Sequence, residues 1–254
     1  MIDTSTRRLL RRYAAKYETS EFLLGDPSWF MHQVSGNRNR EATAFVASCL
    51  SFGSRPVFRR KIRQIVDVAE GDVDSWIREG RFEKNFPCGC PDCFYRFFTE
   101  GHMRDFLEAY RLLLQECGTL GDYVRREAGG DGYEAVKAIC RRFGSCGEAP
   151  VVPKDASSAC KRVCMFLRWM VRDSSPVDLG LWAQFMDCRT LVIPLDTHVV
   201  QQAMRLGLLS SPSASMSAAR RLTAALAEVF PDDPLKGDFA LFGYGVNHGG
   251  DILV

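Results

Sequence analysis

Hydrophobic positions along this chain recur every three or four residues far more often than they alternate, and that spacing predicts helices almost throughout. The pattern gives helices over 4–18, 39–52, 55–69, 103–117, 132–144, 156–172, 196–206, 215–229 and 235–246, with shorter pieces at 73–80, 119–127 and 178–186. Asp196 and Ser215 stand where N-cap residues belong, and Gly53 and Gly207 where helices stop. The stretch GSCGEAPVVPKDASS at 144–158 carries four Gly or Pro residues and no periodicity, so it reads as a loop, as does LLSSPSASMS at 208–217. No run of six residues alternates between hairpin turns. The expected fold class is all-α.

Charge complicates one of these helices. SACKRVCMFLRWMVRD, residues 158–173, sets Lys161, Arg162, Arg168 and Arg172 among Val163, Phe166, Leu167, Trp169, Met170 and Val171. At 3.6 residues per turn, Lys161, Met165, Arg168 and Arg172 share one face, with Cys164 alongside. An ordinary solvated face accounts for most basic stripes. Here Lys161 falls in the first turn, where the helix dipole disfavours a cation. Met165 and Cys164 between the charges suit the wall of a groove better than open surface.

Downstream, TLVIPLDTHVVQQAMRLGLL at 190–209 runs from an apolar segment through Pro194 to Asp196 and then a helix. Asp196 is a helix N-cap on any reading. A carboxylate there, next to buried chain and facing a lysine, also has the parts for amine nucleophile chemistry. His198 is two residues on and points to another face, which excludes a His–Asp dyad and leaves it packing or capping.

Composition narrows the classes. The formal net charge is only +2 over 254 residues, so no polycation argument applies, and a nucleic-acid partner must be argued from local charge. SRPVFRRKIR at 54–63 is such a place: Arg55, Arg59 and Arg60, with Lys61 and Arg63, form a basic helix start of the kind that contacts phosphates. No stretch reaches the roughly 18–20 apolar residues of a membrane span, and the first twenty residues lack a secretory pattern. The ten cysteines then read as reduced thiols in a cytoplasm. Cys88, Cys90 and Cys93 lie within six residues, but C-x-C-x₂-C is poor zinc spacing. His102, Cys117 or Cys140 would have to supply a fourth ligand, so neither metal nor other cofactor is expected. No P-loop, G-x-S-x-G or dinucleotide fingerprint occurs.

The segment IPLDTHV resembles the one that carries the catalytic aspartate in the helix-hairpin-helix DNA glycosylase superfamily. Asp196 follows Lys161 by 35 residues, longer than in the endonuclease III type and closer to the archaeal 8-oxoguanine DNA glycosylase group. CKRVCMFLRWMVR, VIPLDTHV and DPLKGDFALFGYGV, with YRFF at 95–98 and FVASCLSFGSR at 45–55, resemble an uncharacterised bacterial family related to that group. The resemblance implies a DNA repair glycosylase with AP lyase activity on an oxidised purine such as 8-oxoguanine. Its partner would be double-stranded DNA with the damaged nucleotide flipped out. Lys161 would be the nucleophile and Asp196 the catalytic carboxylate, with Arg168 and partial burial favouring the uncharged amine. Arg168, Asp238 and Phe242 would line the base pocket, and Arg172 would join Arg55, Arg59 and Arg60 on the DNA backbone. Two superfamily features are missing: the Gly-rich hairpin, replaced by VVPKDASSAC, and the C-terminal cysteine quartet.

The expected architecture is one glycosylase-like domain over 1–254, monomeric, two-lobed about a central groove, with both chain ends in one lobe. Two alternatives stand beside the enzyme: a non-catalytic nucleic-acid-binding protein of the same fold, and a basic interface for an acidic protein partner.

Overall fold

Twelve α-helices and one two-stranded hairpin make up the computed structural model, which describes residues 2–147 and 150–247. The fold class is all-α. The chain divides into two compact units, each assembled from separated segments. One contains the chain up to Leu24, Gly130–Val136, and everything from Ala156 onward; the other contains Gly25–Gly129 and Lys137–Asp155.

The first unit holds α1 (Thr4–Tyr17), the start of α8 (Gly132–Phe143), α9 (Lys161–Val171), α10 (Thr197–Arg205), α11 (Met216–Ala227) and α12 (Lys236–Asn247). Helix α12 is its axis, because small residues let three neighbours approach its backbone. A Cβ added at Gly237 would lie 2.5 Å from Leu226 of α11, one at Gly243 2.5 Å from Tyr17 of α1, and one at Gly245 3.0 Å from His198 of α10. A glycine in the helix interior, such as Gly243, costs about 1 kcal/mol in backbone freedom relative to alanine, and the close packing it permits offsets that. The Tyr13 ring of α1 meets Tyr244 of α12 edge-on, with centroids 4.9 Å apart.

The second unit holds α2 (Trp29–His32), α3 (Asn37–Leu50), α4 (Arg55–Val68), α5 (Val73–Arg78), α6 (Glu100–Cys117), α7 (Leu120–Ala128) and the rest of α8. Helix α3 is buried along nearly its whole length. Phe45 at its middle packs on Tyr110 at 5.1 Å and Phe143 at 5.0 Å between ring centroids. Burying one such ring is worth roughly 1.5–3 kcal/mol. Two polar side chains of α3 hold neighbouring helix starts: Asn39 Oδ1 accepts from Val73 N at 2.9 Å, and the Glu41 carboxylate accepts from Leu120 N at 2.9 Å and Gly121 N at 3.2 Å.

Three expectations need correction. The helix expected over 156–172 begins only at Lys161, because the preceding residues pair with the chain before α11. Ala159 N donates to Ala214 O at 3.0 Å, and Ser158 bridges Ser215. The piece at 178–186 is a series of turns. Its amides are used elsewhere: Leu179 N donates to Trp169 O and Trp182 N to Met170 O, both at 2.7 Å, which satisfies carbonyls at the end of α9. A hairpin was also missed: β1 (Cys93–Tyr95) pairs antiparallel with β2 (Phe98–Thr99).

Candidate active site

Lys161 owes its position to the strand-like pairing just before it. Once residues 157–159 are tied to 214–216, the chain must turn abruptly into α9, and Cys160 makes that turn in the left-handed region at φ 46°. A non-glycine residue there costs roughly 1–2 kcal/mol. Helix α9 starts without a side-chain cap. Its first residue is a half-buried lysine, and among the described residues that amine forms no ion pair.

Asp196 is positioned from the other side. Leu191, Val192, Ile193 and Leu195 are buried, and Ile193 N donates to Thr223 Oγ1 at 3.0 Å. This apolar segment delivers Asp196 to the start of α10, where Oδ1 accepts from Val199 N at 3.0 Å. The carboxylate is half-buried, and one oxygen is committed to the cap.

Asp238 links the two. It sits in the first turn of α12 and is buried. Burial pushes its carboxyl up to about 6; Arg168 opposes the rise, Asp196 adds to it and Lys161 opposes it. Lys161 and Asp196 therefore both lie within electrostatic reach of one buried carboxyl. Phe242, one turn further along α12, is half-buried and faces the His198 ring with centroids 6.2 Å apart. The His198 Nδ1 is buried without a hydrogen bond among the described residues.

Arg168 and Arg172 do not stand in the accessible groove wall expected of them. Arg168 is buried, donating to Asp178 at 3.2 Å and to Asp238, with its guanidinium 4.6 Å from the Phe239 ring centre. Arg172 is buried as well and cannot contact a DNA backbone. Its guanidinium donates to both oxygens of Asp233 at 2.7–3.0 Å, and to Asp178 and Glu18. Packing makes this necessary, since a helix buried on all sides can keep arginines only if carboxylates neutralise them. Arg168 is thus a compensated charge, not an unbalanced cation beside Lys161. Asp178, Asp233 and Glu18 escaped the sequence reading. The signal for them was the pair of arginines one turn apart on so apolar a helix, which demanded acidic partners.

The remaining candidates belong to the second unit. Arg55 opens α4 and is half-buried, as is Arg59, while Arg60 is exposed. Arg63 is exposed and lies over the Trp29 ring at 4.8 Å. Cys88 and Cys93 are exposed and Cys90 is half-buried. Of the fourth ligands considered, His102 is occupied: its Nδ1 accepts from Thr99 N at 3.2 Å in the capping box of α6. Cys140 is buried in α8.

A family model described as a protein of unknown function, DUF2400, matches residues 26–247. The chain belongs to the DUF2400 family. The match takes in Lys161, Asp196 and Asp238, so the trio lies within the part of the chain that defines DUF2400 membership. No curated protein and no solved structure matches the chain. Among the described residues, no helix of this DUF2400 protein is long and apolar enough to cross a membrane.

Proposed function

We propose that this DUF2400 protein is a DNA repair glycosylase with AP lyase activity, a cytoplasmic monomer that removes an oxidised purine such as 8-oxoguanine from double-stranded DNA. The observation that carries the proposal is the trio in the first unit: an amine free of ion pairs among the described residues, a half-exposed capping carboxylate, and a buried carboxyl that feels both. The resemblance of CKRVCMFLRWMVR and VIPLDTHV to the archaeal 8-oxoguanine glycosylase group supplies the chemistry.

In that chemistry the Lys161 amine attacks C1′ of a flipped-out nucleotide. The glycosidic bond breaks, and the base leaves with the bonding electrons and takes up a proton. The sugar ring opens to a Schiff base on Nζ, and β-elimination then breaks the C3′–O bond. Asp196 accepts the amine proton and steadies positive charge developing on the sugar. Asp238 and Phe242 would meet the base, and Arg168 holds Asp238 in place.

Borohydride trapping on oligonucleotides bearing 8-oxoguanine or an abasic site tests the proposal. A covalent adduct with wild-type protein that disappears in Lys161→Gln and falls sharply in Asp196→Asn is the expected result. Salt-dependent binding with no adduct would replace the enzyme with a nucleic-acid-binding protein, a reading favoured by exposed Arg60 and Arg63 on α4. No DNA binding at all would remove both.

A further inference from the structure

We infer that the loop before α6 is a zinc site, with Cys90, Asp92 and Glu100 as its protein ligands and the fourth corner left to water. The inference is independent of the glycosylase proposal. The Sγ of Cys90 and one carboxylate oxygen from each of Asp92 and Glu100 all lie within 4.8 Å of one another. The edges of a tetrahedral zinc site built on metal–ligand bonds of roughly 2.0–2.3 Å are about 3.3–3.8 Å, so a small contraction brings all three onto one ion. The Cys90 thiol already faces Glu100 Oε2 at 3.5 Å.

The arrangement is fixed by the backbone, not by chance meeting of side chains. Gly101 N donates to Cys90 O at 2.9 Å and Glu100 N to Asp92 O at 2.8 Å, so the loop lies directly over the first turn of α6. A Cβ at position 101 would come 3.0 Å from Cys90 O and 3.2 Å from Cys90 N, tighter than ordinary packing, so a side chain there would push the loop outward by a few tenths of an ångström. The backbone thus holds a thiol and two carboxylates together although the carboxylates repel each other. A divalent cation reverses that repulsion.

The donor set selects among cations. Magnesium and calcium take oxygen ligands, whereas a thiolate beside carboxylates suits zinc. Cys93 is not a ligand: its thiol donates to Arg96 O at 3.1 Å across the hairpin turn. Binding follows Cys90–SH + Zn²⁺ → Cys90–S–Zn⁺ + H⁺, the thiol proton passing to solvent.

The test uses full-length, reduced, chelator-stripped protein and zinc chloride, with a chromophoric chelator in competition and a pH indicator in weak buffer. One equivalent of zinc per chain, with release of one proton, is expected. Cys90→Ser and Glu100→Gln should each weaken binding by more than the roughly 10–100-fold that loss of an outer-shell partner costs. Cys93→Ser should bind as wild type, and circular dichroism of each variant separates lost ligands from lost fold. Failure of the wild-type protein to compete for zinc overturns the inference. So does binding that survives Cys90→Ser, or an equal loss in Cys93→Ser, which would mean indiscriminate thiol capture.

Discussion

Asp238 should make this protein less stable at neutral pH than its own asparagine variant, and the difference should vanish in acid. An unfolded aspartate titrates near 3.8, whereas burial carries the folded Asp238 carboxyl up to about 6. Between those values the folded chain binds more protons than the unfolded one, so stability falls as pH rises through the window. At 1.36 kcal/mol for each pH unit between the two values, the full loss is about 3 kcal/mol, most of it between pH 4 and pH 7.5. An amide at position 238 resembles the protonated acid, can still accept from Arg168, and does not titrate.

Urea denaturation of wild type and Asp238→Asn at pH 4, 5, 6 and 7.5 isolates the effect, because other titrating groups nearly cancel in the difference between the two proteins. The variant should match wild type at pH 4 and exceed it by about 3 kcal/mol at pH 7.5. A pH-independent difference, or a variant that grows relatively weaker as pH rises, would refute the reasoning. The second outcome would mean that the Arg168 pair outweighs burial and holds the carboxyl ionised.

Further outcomes follow from single contacts. Arg172→Met strands Asp233 and Glu18 and leaves Asp178 to Arg168 alone, and should cost about 3–5 kcal/mol, visible as a large drop in thermal midpoint. Glu41→Ala should cost about 1–2 kcal/mol in urea unfolding by uncapping α7, whereas Glu41→Gln, which keeps one acceptor, should recover part of it. Gly243→Ala forces Tyr17 off α12 and should destabilise by about 1–3 kcal/mol, with faster amide exchange in α1 as the specific sign.

Long helices were legible because one buried face leaves an unambiguous period. The expected 4–18 and 55–69 end one residue beyond Tyr17 and Val68, and Asp196 and Ser215 do cap α10 and α11. What failed was decided by distant chain. Residues 156–160 have helical composition, but the segment before α11 takes their hydrogen bonds, and no local pattern announces that partner. The turns at 178–186 read as helix because Leu179, Trp182 and Met186 are apolar, yet Leu179 and Trp182 give their amides to the end of α9. The β1–β2 hairpin has strands of three and two residues, too short for any alternation to register. Lys161 and Asp196 were found through motif resemblance, whereas the cluster beneath them was not. A helical projection assigns charge to a face, but only tertiary packing says whether that face meets water or carboxylates.

That misreading bears on the choice between catalysis and mere binding. A phosphate-binding surface needs exposed cations, and α9 offers little: Arg168 and Arg172 are spent on Asp178, Asp233, Asp238 and Glu18. What remains is one amine at an uncapped helix start, where the dipole disfavours it by about 0.3–1 kcal/mol, and two carboxyls in unlike surroundings. Asp196 is half-exposed and anchored as a cap, while Asp238 is buried and raised. A buried, raised carboxyl close to a second, more exposed carboxylate is a common arrangement for dividing proton-transfer tasks. Asp238 helps to neutralise the buried Arg168, but Asp178 does so already, and ionising Asp238 still costs the folded chain about 3 kcal/mol. The cost makes sense if the carboxyl must meet a ligand or a developing charge beside Lys161, which is why the stability of Asp238→Asn and its effect on adduct formation should move in opposite directions.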